Sequence, residues 1–142
     1  MKFVIEFDRN HKLCRVTLHG RVDNPGALEA YKHMGHAVNG LKPNAGILDL
    51  SAISSFEVTP GAIRHLASLP PILPDPHLRC HVAPDDLLFG MMRMFQMLGE
   101  QNRENLHVVR SMTEAYTVLG IQDEPEFQTH ETIETSSLES KT

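Results

Sequence analysis

The chain has 142 residues, of which 41% are hydrophobic and 22% charged, a size and composition that fit one globular domain with one core. No apolar run approaches the roughly 20 residues that span a bilayer, and Met1-Lys2-Phe3-Val4-Ile5-Glu6-Phe7 meets charge too soon for a signal peptide, so a cytoplasmic location is expected. The net charge of -5 resides in residues 123–142, where six acidic residues face Lys141 alone; the balanced remainder has no basic excess to draw a phosphate backbone, which argues against nucleic acid as a partner.

Phe3 to Phe7 mixes aromatic and β-branched residues and reads as a strand. After the polar turn Arg9-Asn10-His11, Leu13 to Leu18 alternates, with Cys14, Val16 and Leu18 on one face, which predicts an antiparallel hairpin with the first strand. Asp23-Asn24-Pro25 offers a cap and a first-turn proline. Leu28, Tyr31, Gly35 and Val38 follow at helical spacing, and Asn39-Gly40 is the expected stop. Gly46 to Leu50 is almost continuously apolar, as in a strand covered on both faces.

A polar, hydroxyl-rich stretch comes next, and Thr59-Pro60 opens a helix with Ile63, Leu66 and Ala67 facing inward. Pro70 to Pro76 holds four prolines and predicts a stiff loop. Leu78 to Ala83 is the next strand. Pro84-Asp85-Asp86 starts a third helix with the stripe Leu88, Met91, Phe95 and Leu98. Leu106 to Val109 reads as the last strand, and Ser111-Met112-Thr113-Glu114 has the capping-box pattern of a final helix. The order β-β-α-β-α-β-α-β-α predicts a mixed, mostly parallel sheet of about five strands with four helices over residues 1–121. Residues 122–142 are acidic and rich in Ser and Thr and read as a flexible tail.

Cys14 and Cys80 each sit in an apolar stretch without a C-x-x-C neighbour and read as buried thiols. The sequence holds no G-x-S-x-G, P-loop, G-x-G-x-x-G or H-E-x-x-H motif, so neither an enzyme nor a cofactor is expected. Among nine histidines, His33 and His36 lie three apart with Glu29 nearby, but two ligands on one helix do not make a zinc site, and no metal is expected. Met91, Met92, Met94 and Met97 crowd one helix with Phe89 and Phe95. Either that helix is buried on two sides, or Phe89, Met91, Met92 and Phe95 form an adaptable surface for a small apolar ligand or a second copy of the chain.

Asp49 ends an apolar strand, where ligands of open parallel sheets collect. Thr59 reads as the N-cap of the next helix, and its hydroxyl stands in the positive field of that helix end. The stretch I-L-D-L-S-A-I-S-S-F-E-V-T-P-G-A-I-R-H-L resembles the central strand-loop-helix of STAS domains, the sulfate-transporter and anti-sigma-factor-antagonist family, in their SpoIIAA-like (STAS/SEC14-like) bacterial branch. F-G-M-M-R-M-F-Q-M-L and L-H-V-V-R-S-M-T-E-A-Y-T-V-L are similar to that branch's third helix, last strand and final helix, and the resemblance spans most of residues 3–121.

The resemblance implies a small α/β domain that catalyses nothing and binds a protein partner through Asp49, Ser51, Ser54, Ser55, Glu57 and Thr59. In anti-sigma antagonists the loop carries D-S-[ST]-G, with the second hydroxyl phosphorylated by a kinase. The matching residues here are Glu57, Val58, Thr59 and Pro60, which makes Thr59 the phosphoacceptor candidate. The acid and the acceptor hydroxyl keep their type, while Val58 and Pro60 replace the first Ser and the Gly. The SEC14-like side of the resemblance implies a hydrophobic pocket lined by the Met-rich helix.

Overall fold

The computed structural model describes residues 1–99 and 103–135. In chain order its elements are β1 (Lys2–Asp8), β2 (Leu13–Val22), α1 (Asn24–Leu41), β3 (Ala45–Asp49), β4 (Ile53–Phe56), α2 (Pro60–Ser68), β5 (Leu78–Val82), α3 (Asp86–Leu98), β6 (Leu106–Val109), α4 (Met112–Leu119) and β7 (Gln128–Glu134). The main sheet runs β6-β5-β3-β2-β1-β7, and β4 pairs with β2 beyond the end of β3. The expected hairpin of β1 and β2 is present, with Ile5 opposite Val16. Strands β2, β3, β5 and β6 pair in parallel, as crossover helices require.

Alternation along the strands sends side chains to two apolar layers. Cys14, Val16 and Leu18 of β2 join Phe3, Ile5, Leu50, Ile63, Leu88 and Met92 on the face covered by α1, α2 and α3. Leu13, Ile47, Cys80, Val82 and Val109 meet Ala115 of α4 on the other. Burial drives both cysteines up, Cys14 to about 11 and Cys80 to about 12, so each is a thiol at neutral pH and packs as a small hydrophobe.

Four expectations are corrected. Among the described residues the sheet has seven strands, where about five were expected. Ile53-Ser54-Ser55-Phe56, expected as loop, forms β4 because Gly20 to Val22 of the long β2 extend past β3 and leave backbone groups to pair. Residues 128–134, expected within a flexible tail, form β7 against β1. As an edge strand with almost every side chain exposed, β7 carries Thr, His and Glu where an interior strand would be apolar, which hid its β-branched Thr129, Thr132 and Ile133. Residues 136–142 of the expected tail lie outside the described residues. Helix α1 runs through Asn39-Gly40 and ends at Leu41, where Lys42 takes the left-handed conformation (φ 52°) that closes the helix.

The closing strand is tied down at Asp8. Asp8 is 1% exposed, and its carboxylate accepts from the backbone amides of His11 (3.0 Å) and Glu126 (3.1 Å) and from the His11 ring. Burial alone would raise its pKa, but these hydrogen bonds outweigh burial and hold the carboxyl below its ordinary value. A depressed folded pKa stabilises the fold fully above the unfolded value, and that contribution disappears as pH falls through the folded one. Asp8→Asn should therefore cost about 1–3 kcal/mol near pH 7. The gap should shrink below about pH 4 in urea denaturation series; a pH-independent gap would contradict this role.

Candidate functional site

The polar loop forms one bonded surface with the end of β2 and the starts of α1 and α2. Gly20 (φ 84°) and a register shift between Gly20 and Arg21 turn β2 from β3 onto β4. The Glu57 amide then donates to Val22 O (2.7 Å). Glu57 accepts at one oxygen from Arg21 Nε (2.8 Å) and Ser55 Oγ (2.9 Å). Asn24 and Thr59 grip each other: Asn24 Nδ2 donates to Thr59 Oγ1 (3.2 Å) and the Thr59 amide donates to Asn24 Oδ1 (2.9 Å). Thr59 Oγ1 also accepts from the Ala62 amide (3.2 Å), so Thr59 is the N-cap expected from Thr-Pro. Asp23, accepting from Gly26 N at 2.9 Å, caps α1 beside it. Two helix N-termini thus lie side by side, their free amides and dipoles giving a locally positive field.

Of the residues singled out by sequence, Ser54, Ser55, Glu57 and Thr59 lie on this exposed surface, while Val58 between them is buried. Asp49 stands apart. It is 7% exposed and accepts from the Ser51 amide (3.0 Å) and Ser51 Oγ (2.7 Å), which closes the turn after β3. Arg21 and Asn24 were not singled out by sequence reading; the length of β2 past Leu18 and the glycine within it were the available signals. His33 packs its ring against Phe3 (centroids 5.5 Å apart) and stands 3.6 Å from Glu29, while His36 is exposed.

Helix α3 keeps Leu88 and Phe95 of the expected stripe but buries Met92 in place of Met91. Leu88 and Met92 are buried, whereas Leu98 is 49% exposed, because this helix must meet both α2 and β6. Met92, read from sequence either as part of a helix buried on two sides or as part of an adaptable surface, is core. Phe89 is covered by the Arg110 guanidinium (4.1 Å), and Met91 is half-buried.

Met92 and Phe95 line an apolar cavity of about 180 Å³ between the helices and the sheet. Its floor is low because Cys14 and Gly46 are small, and a Cβ on Gly46 would come within 3.5 Å of Leu73. The segment Pro71-Ile72-Leu73 borders it, anchored where the Tyr31 hydroxyl donates to Pro70 O (2.6 Å).

Thr59→Ala should cost about 1–2 kcal/mol in urea denaturation, since it removes a cap, whereas Thr59→Ser should stay within about 0.5 kcal/mol. Equal losses for the two would refute the capping role.

No family model and no curated protein matches the chain. Among solved structures, the chain is similar to a crystal structure of an anti-sigma factor antagonist from Mycobacterium paratuberculosis, with 17% identity and a TM-score of 0.50 over 85% of this chain and 95% of that one. No helix of the described residues is long and apolar enough to cross a membrane. The mixed sheet, the four helices of the described residues and this likeness show the fold of an anti-sigma factor antagonist, in keeping with the STAS resemblance of the sequence.

Proposed function

We propose that the chain is a non-enzymatic regulatory module that binds a protein partner through the surface of Ser54, Ser55, Glu57 and Thr59, completed by Arg21 and Asn24. The observation that carries this reading is the set of hydrogen bonds by which β2 and α1 hold the loop from outside it. A polar surface fixed before contact loses little entropy on binding. The shared fold with an anti-sigma factor antagonist supports the same role. Catalysis is disfavoured by the chemistry of the loop: the hydrogen-bond partners of Thr59 Oγ1 are amide groups, and none is a base able to activate it.

Thr59 is also the residue at which such a surface could be switched. A phosphoryl group on Oγ1 would be stabilised by the amides and dipole of α2. It would also add negative charge next to Glu57 and change what the surface attracts.

A photo-crosslinking residue at Ser54 should capture one partner, whereas the same residue at Thr117, exposed on α4 across the sheet, should not. Identical captures at both positions, or none at Ser54, would refute the assignment. With that partner in hand, Thr59→Glu should weaken binding by about tenfold, near 1.4 kcal/mol. Arg21→Ala should also weaken it while changing stability by less than about 1 kcal/mol, since its exposed ion pair adds little to the fold. Unchanged affinity in both variants would sink the reading.

A further inference from the structure

The cavity is apolar except at one end. There β5 turns His81 toward α3, and the ring lies against Phe95 with centroids 5.7 Å apart. His81 Nδ1 is buried without a hydrogen-bond partner, the one such side-chain atom among the described residues. The other face of this corner is Arg103, 5% exposed, whose guanidinium lies 4.3 Å from the same Phe95 ring. Arg103 donates to the carbonyls of Ala67 (3.1 Å) and Leu69 (3.5 Å) at the end of α2, and among the described residues no carboxylate pairs with it. Arg79, the nearby second cation, is matched by Asp75 at 2.7 Å. A buried cation and a buried orphan imidazole nitrogen thus border one apolar chamber. Both states are costly when left as they are.

We propose that the cavity binds a medium-chain carboxylate, its head between His81 and Arg103 and its alkyl tail running over Gly46 toward Cys14 and Val16. Three features select this occupant. The walls beyond the polar corner are apolar, as in pockets that hold the hydrophobic part of a small ligand. The corner carries a net positive charge, which favours an anionic head over a neutral or cationic one. His81 and Val16 lie two strand spacings apart across Leu48 of β3, about 10 Å, and Cys14 is two residues further along β2, which sets the length of tail that fits. Burial and the fields of Arg79 and Arg103 push His81 down to about 3, so its ring is neutral and its Nδ1–H tautomer can donate to the carboxylate. The site is separate from the protein-binding surface and stands whether or not that reading does.

The test is calorimetric titration of the chain with octanoate, octanol and octylammonium, with the ring nitrogens of His81 followed by NMR. Octanoate should bind saturably and shift the Nδ1 resonance. Octanol should bind at least about tenfold more weakly, as expected for loss of a charged hydrogen-bond partner, and octylammonium more weakly still. His81→Phe, which keeps the ring shape, should cost octanoate at least about tenfold and leave octanol within about threefold. The proposal is overturned if octanoate fails to bind, binds no better than octanol or octylammonium, or leaves His81 unmoved. The three-ligand comparison on the unaltered chain decides the matter even if His81→Phe does not fold.

Discussion

Strand β2 has ten residues and three neighbours, and the change of partner along it organises the molecule. Its first half holds β1 on one side and β3 on the other. Its last three residues pair with β4, after the bend that Gly20 permits at φ 84°. The bend brings Arg21 to Glu57 and starts α1 where Asn24 reaches Thr59. Loop residues 54–59 are therefore held by hydrogen bonds to a central strand and by two helix caps, rather than left as a solvated connection.

The segment from β4 into α2 borders two environments at once. Phe56 and Val58 point to the cavity, while Ser55, Glu57 and Thr59 alternate with them toward solvent. The cavity itself follows from small residues, Cys14 and Gly46, placed where neighbouring strands would otherwise fill the layer beneath α1. Arg103 completes the opposite wall by filling the space beside Gly99, where any Cβ would collide with its guanidinium.

Most of this fold is written in short-range patterns. The hairpin, the apolar strands β3 and β5, and the caps Asp23, Thr59, Asp85 and Ser111 follow from alternation and turn chemistry. What escaped sequence reading depends on distant partners. β4 has too few apolar residues to declare itself and exists because β2 overruns β3. β7 is polar because it is an edge, and its acidic residues resemble those of a solvated tail. The α3 stripe of Leu88, Met92 and Phe95 fits helical periodicity as well as the expected one does, and only the positions of α2 and β6 choose between them. For the site, Glu57 and Thr59 were legible from motif likeness and cap chemistry. Arg21, Asn24, His81 and Arg103 were not, since they join the picture across separations of 35 or more residues or through a cavity that no local pattern encodes.

The account rests on Gly20 as the point where β2 changes partner and fixes the loop. Gly20→Val tests it directly: a Cβ there has open space around it, so the substitution acts through the backbone, where φ near 84° costs a β-branched residue about 1–3 kcal/mol. Amide hydrogen exchange of this variant should lose protection across Ile53–Phe56 and at the start of α2, while Lys2–Asp8 and Ala45–Asp49 keep theirs. Unchanged protection over Ile53–Phe56, or a uniform loss through every strand, would contradict it.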